Sequence, residues 1–207
     1  MKSGFITFEG IDGCGKTSLI RKVADRLEKA GFSVELTREP TDTWLGDAVR
    51  QGYKEDISPY TEAFLFLADR ATHTDRIRKQ VAEGKVVMSD RYSDSTVAYQ
   101  AAFLNQRLGG KCETYMEWLK KVSEPVVIEP DITFLLDVDP ETSLGRLRNR
   151  SQKEKFETLE NLRQVRRNYL AIAETEERVH VIDASRGIPE VLGDILFTLG
   201  EHFGSEL

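Results

Sequence analysis

Apolar positions along this chain fall into short continuous runs separated by longer stretches with helical spacing. Phe5–Phe8, Ser33–Thr37, Val86–Ser89, Ile132–Val138 and Val179–Ile182 read as strands. Several are β-branched and nearly all apolar, as expected of strands covered on both faces. After the first run, Ile20, Val23, Ala24 and Leu27 recur at i, i+3, i+4 and i+7, one apolar face of a helix. Ser58 as cap and Pro59 at the first helical position open another helix, which runs towards a stop at Gly84. Pro140 opens a third after the fourth strand, and the last begins near Pro189. Strands alternating with helices predict an α/β fold: a three-layer α/β/α arrangement around a five-stranded parallel sheet, with ligands at the C-terminal ends of the strands.

Between the first strand and its helix stands Gly10-Ile11-Asp12-Gly13-Cys14-Gly15-Lys16-Thr17, the spacing of a P-loop. Phosphate needs many donors at short range. Glycines let successive backbone N–H groups converge on one concavity, and the helix that follows adds its positive N-terminal end. Lys16 can reach the β/γ-phosphates, and the Thr17 hydroxyl is placed to ligate Mg²⁺. A glycine-rich turn with an incidental lysine is the bland alternative; a strand before and a helix after favour the phosphate loop. The fold expected is therefore that of a P-loop NTPase.

Composition narrows the setting. The 207 residues, 40% apolar and 31% charged, suit one domain with an ample core. The net charge of −6 argues against a protein whose task is to hold nucleic acid. The chain has no apolar run of membrane-spanning length and no signal-peptide pattern at its start. Two cysteines, Cys14 and Cys112, do not make a disulfide framework. Together these point to the cytoplasm, with no membrane partner.

Other residues fall at strand ends or on one helix face. Arg38 follows the second strand: a surface ion pair, or a guanidinium clamping phosphate with two parallel bonds. Phe66 and Arg70, four apart, share a helix face and could stack on a base and bond its carbonyl edge; core packing, with Arg70 paired to Glu62, Asp69 or Asp75, is the alternative. His73 reads as structural. Asp90 at the end of the third strand could organise Mg²⁺ while Arg91 faces the phosphates; otherwise the two pair and cap the next helix. Tyr99 and Gln100 lie on that helix, which Ser93, Asp94 and Ser95 begin. Asp137 could serve as a Walker B aspartate, but Asp139 more simply caps the helix at Pro140. Five positive charges crowd residues 146–155, from Arg146 to Lys155. They read as solvated surface or as a short basic lid over residues 146–157, compensating charge on a transferring phosphoryl group.

Taken together, these segments resemble the thymidylate kinases, the nucleoside monophosphate kinases that make dTDP from dTMP and ATP. The resemblance rests on Phe8 through Thr17, on Thr37-Arg38-Glu39-Pro40 and on Phe66 through Arg70. It continues in Asp90-Arg91-Tyr92 with Ser95 and Ala98-Tyr99-Gln100, and in Leu136 through Glu141. The last stretches are Lys155-Phe156-Glu157, and Val165-Arg166 with Tyr169-Leu170.

The resemblance implies a single P-loop kinase domain over residues 1–207 that uses Mg²⁺ and forms a homodimer. ATP would lie on Gly10 through Thr17, with Thr17 and Asp90 at the metal. Phe66 would stack on thymine, Arg70 bond its O4, and Arg38 and Arg91 hold the dTMP phosphate. Asp12 would lie near the 3′-hydroxyl, Tyr99 crowd the 2′ position and Gln100 line the base pocket. The catalytic set implied is Lys16, Arg91, Asp12 and a lid arginine. Some members carry that arginine in the P-loop, where this chain has Gly13, so Arg150, then Arg146, is expected to supply the charge. Gly-Gly after Arg-Glu-Pro is replaced by Thr41-Asp42. Lys155 stands for the usual arginine, and Asn161 for an aromatic. The alternatives are a kinase for another nucleoside monophosphate or a deoxynucleoside, and a non-metabolic P-loop switch; the guanine motif Asn-Lys-x-Asp is absent.

Overall fold

The computed structural model describes residues 2–147 and 158–207. Most of the expected lid, with Arg150 and Lys155, lies outside the described residues. Five strands, β1 (Gly4–Glu9), β2 (Val34–Arg38), β3 (Val86–Asp90), β4 (Ile132–Asp137) and β5 (Val179–Asp183), form one parallel sheet in the order β2-β3-β1-β4-β5. Eight helices accompany them among the described residues. They are α1 (Lys16–Lys29), α2 (Trp44–Gly52), α3 (Pro59–Ala82), α4 (Ser93–Leu108), α5 (Cys112–Ser123), α6 (Pro140–Leu147), α7 (Leu159–Ala173) and α8 (Ile188–Phe203).

Alternation along β1 divides the core. Ile6 and Phe8 face the cluster built with α1 and α8, whereas Phe5 faces Ile77 of α3, with Val87 and Tyr92. The predicted face of α1 is buried at Ile20, Val23, Ala24 and Leu27. The expectation of strands buried on both faces holds for β1, β3 and β4. It fails for β2 and β5, which are sheet edges and leave Leu36 and Val181 exposed. The chain leaves β1 for β2 at one edge, comes back to β3 and then crosses to β4 and β5 on the other side, so the topological switch lies beside β1. One register row crosses the sheet through Arg38, Asp90, Phe8, Phe134 and His180. The loops after β1, β2 and β3 leave from that level.

Candidate active site

The P-loop leaves β1 at the switch point, turning at Gly10, Gly13 and Gly15 with positive φ. At Gly13 the turn also packs against α6: a Cβ would lie 2.8 Å from the Ser143 carbonyl oxygen and 3.1 Å from Leu147 Cγ. A larger residue at position 13 would push α6 away, so the glycine that departs from the arginine of some thymidylate kinases suits its neighbours. Ser143 donates to the Asp12 carbonyl and ties α6 to the loop a second time. Lys16 is buried. Its ammonium donates to the Gly10 and Ile11 carbonyls at 3.0 Å each and to Cys14 Sγ at 3.4 Å. The expected reach towards phosphate therefore requires Lys16 to exchange its own loop's carbonyls for phosphate oxygens.

Beyond the loop, Thr17 Oγ1 donates to Asp90 Oδ2 at 2.8 Å, joining the start of α1 to the end of β3. A hydroxyl and a carboxylate side by side are the hard oxygen donors that Mg²⁺ takes, the remaining positions going to water and phosphate. These residues fit the metal implied for them. Asp137 does not enter this group, because Arg166 of α7 clamps it with two bonds of 2.6 and 2.8 Å. Asp139 caps α6 through the Glu141 amide.

Arg91 is the one non-glycine with positive φ among the described residues, at 73°. Its guanidinium donates to Asp12 and Tyr99, and also to the Gly10 carbonyl, Ser95 and Tyr169, and it stacks over the Tyr99 ring at 4.8 Å. Burial works against the Arg91 charge, but Tyr99 and Asp12, first among its neighbours, raise its pKa well above the usual value. Burial likewise pushes the Asp12 carboxyl up, and the charges of Arg91 and Lys16 outweigh it, so Asp12 lies below the ordinary aspartate range.

Two adjoining clefts share this machinery. The smaller, of about 220 Å³, is lined by Asp12, Gly13 and Gly15 to Ser18 of the P-loop with Asp90, Arg91, Arg146 and Leu147. Arg146 donates to the carbonyls of Gly13 and, from the turn after β5, Ala184. The larger cleft, of about 630 Å³, brings together Arg38, Phe66, Asp90, Arg91, Thr96, Tyr99 and Gln100. Arg38 makes the surface ion pair of the first reading, with Asp42 at 2.6 Å and both side chains largely exposed, and it also lines this cleft.

Arg70 lies behind the wall of the larger cleft, almost wholly buried. Its partner is none of the three acids on α3 that spacing suggested. It pairs with Glu39, the residue before the cis Pro40, and donates to the Tyr92 carbonyl at 3.0 Å. The reason is topological: β2 and α3 come together in the fold, and a sequence window on α3 cannot show it. His73, structural as expected, bridges Glu39 at 2.9 Å and Thr37 at 2.7 Å. Sequence reasoning also missed Thr96, Tyr169 and Glu9 as parts of the site. Thr96 lay one helical turn before Gln100, a signal within reach; the other two depended on tertiary placement.

A parallel sheet with a phosphate loop at its switch point and an aromatic-walled, arginine-rich cleft beside it defines a P-loop protein built to hold two phosphorylated ligands at once. The thymidylate kinase family model matches residues 8–195. A probable thymidylate kinase of Methanococcoides burtonii is 42% identical, over 95% of this chain and 96% of the relative. A probable thymidylate kinase of Methanosarcina barkeri is 44% identical over 93% of each. A thymidylate kinase of Bifidobacterium longum is 40% identical over 92% and 83%. The chain belongs to the thymidylate kinase family.

Proposed function

We propose that this protein transfers the γ-phosphoryl group of ATP to dTMP, giving dTDP. The observation that carries the acceptor is a set of buried polar atoms without partners among the described residues: Arg70 Nε and Nη1, Thr96 Oγ1 and Gln100 Oε1. Gln100 Nε2 donates to the buried carboxylate of Glu62 at 2.8 Å. A carboxylate accepts only, so the amide is fixed with its oxygen as the free end. Gln100 in the wall thus offers an acceptor, and the unpaired donors of Arg70 stand behind it. Thymine has the complementary edge, O4 accepting and N3–H donating. Cytosine presents a donor at C4 and an acceptor at N3, which mismatches both positions. Phe66, packed on Tyr53 at 6.1 Å, supplies the flat apolar wall.

The chemistry follows from charge. The acceptor phosphate is largely dianionic at neutral pH, since its second pKa is about 6, and it needs no general base. The obstacle is repulsion between two phosphates. Lys16 screens the donor, Arg38 and Arg91 hold the acceptor, and Asp12 and Tyr99 fix Arg91 and the sugar. Magnesium held at Thr17 and Asp90 would neutralise charge on the phosphate oxygens.

The reading treats residues 1–207 as one kinase domain whose lid, over 146–157, brings Arg146 and Arg150 to the transferring group. It carries a cytoplasmic location, where both nucleotides are found; no described helix is long and apolar enough to cross a membrane. It also carries a homodimer. The face formed by Phe64 and Tyr60 against Trp118 is apolar and partly exposed, which suits such a contact.

Steady-state turnover of dTMP, dUMP, dCMP and AMP with ATP and Mg²⁺ tests the assignment. dTMP is expected to lead, and equal or better turnover with dCMP or AMP overturns it.

A further inference from the structure

We propose that Glu9 is a positioning residue that orients the acceptor-side arginine, Arg91, and ties it to the phosphate loop. The inference rests on the kinase reading above. Glu9 is the last residue of β1 and immediately precedes Gly10, and its side chain points to the face covered by α3 and α4. It is 1% exposed.

Its carboxylate has two sets of partners. Glu9 Oε1 accepts from the backbone amides of Tyr92 at 2.8 Å and Ser95 at 3.3 Å. Helix α4 has no side-chain cap of its own, so a carboxylate from β1 takes that place. Both amides follow the left-handed turn at Arg91, a conformation a side chain holds only where its surroundings impose it. Glu9 Oε2 accepts from the hydroxyls of Ser95 and Tyr169.

The second set governs Arg91 directly. A hydroxyl has one proton and two lone pairs. Ser95 and Tyr169 also lie 2.8 Å from each other, so their two protons are shared between Glu9 and that contact, and their lone pairs are what remain for Arg91. Arg91 Nη1 donates to both, at 3.1 and 3.3 Å, and to the Gly10 carbonyl at 3.1 Å. A guanidinium can only donate, so Glu9, by drawing hydroxyl protons to its own side, keeps lone pairs turned to Arg91 in two contacts that aim it.

The bonds that hold this carboxylate work against its burial. Burial, then the charge of Asp94, pushes the Glu9 carboxyl above its ordinary value against the pull of Ser95 and Arg91. A group so disfavoured in its ionised form suits a site that trades stability for function.

The test compares wild type, Glu9→Gln and Ser95→Ala in steady-state kinetics, with ATP affinity by calorimetry and thermal midpoint by circular dichroism. Glutamine keeps the size but presents an N–H₂ group to partners that all donate, which forces the Ser95 and Tyr169 hydroxyls to reorient and disturbs the lone pairs that meet Arg91. The expected result is kcat with dTMP lowered about 10- to 100-fold with ATP affinity and thermal midpoint held. Ser95→Ala, which removes one relay and leaves the capping bonds, should show a smaller loss of the same kind. Unchanged kcat in E9Q overturns the proposal. So does a parallel fall in ATP affinity, dTMP turnover and midpoint, which would make Glu9 merely structural. If E9Q does not fold, S95A decides alone, and unchanged kcat/KM for dTMP overturns the proposal. Failure of wild type to phosphorylate dTMP would overturn the kinase reading instead.

Discussion

Tyr99 and Asp12 hold each other twice: the phenol donates to the carboxylate at 2.8 Å and accepts from the Asp12 amide at 3.1 Å. Helix α4 is thereby bolted to the phosphate loop, and the Tyr99 ring is fixed in the larger cleft, where the proposed function puts the sugar. Tyr99→Phe should keep discrimination against the ribonucleotide, because the ring remains, while lowering stability by about 1 kcal/mol. Tyr99→Ala should relax that discrimination. The ratio of kcat/KM for dTMP and its ribose analogue separates the two effects.

Arg91→Ala should damage dTMP use far more than ATP binding. Losing one preorganised donor to the transferring group lowers kcat by about 10²- to 10³-fold in comparable sites. Because Asp12 then loses its closest cation, some loss of stability should accompany it. Unchanged kinetics with dTMP would remove Arg91 from the site.

Glu39 gives the protein an acid-sensitive core. Burial pushes its carboxyl up, but the Arg70 charge and the His73 bond prevail, and its pKa falls below the ordinary value of 4.5. A carboxylate with a depressed folded pKa contributes stability that is complete above the unfolded value and is lost as pH falls through the folded one. Asp12 has the same sign, and Glu9, being raised, the opposite. The urea midpoint should therefore decline as pH drops below about 4.5. Glu39→Gln should flatten that decline and destabilise the fold at neutral pH by about 3–5 kcal/mol, because it strands the buried Arg70.

Gly46 carries a steric prediction. A Cβ there would lie 1.9 Å from the Thr41 carbonyl oxygen, a backbone atom that cannot turn aside. Gly46→Ala should shift α2, whose Arg50 lines the acceptor cleft and donates to the carbonyls of Pro40 and Thr41. The expected loss is about 1–3 kcal/mol, read as a drop of about 2–4 °C in thermal midpoint per kcal/mol, together with a raised KM for dTMP.

Much of this was legible in sequence because it is local. Each strand was visible as an apolar run, and the P-loop carries its own spacing. Helices α2 and α5 were missed: α2 is nine residues long and opens on Thr43, with no apolar repeat long enough to announce it. Candidate residues at strand ends could be chosen because the fold class says where ligands go, and Arg38, Asp90 and Arg91 do come together at one cleft. Side-chain partners were not legible, since Arg70–Glu39 spans 31 positions, Arg91–Asp12 spans 79 and Glu9–Tyr169 spans 160. Periodicity reports which face a residue occupies and says nothing of who stands opposite.

The shared row through Arg38, Asp90 and Phe8 sets the gauge of the machine. Neighbouring strands are about 4.8 Å apart, so the separation between the strand that launches the phosphate loop and the arginine two strands away is a multiple of backbone pitch. Side chains make fine adjustments on that grid. A one-residue slip of β3 would turn Asp90, its last residue, to the opposite face of the sheet, and no replacement at any single position could bring it back.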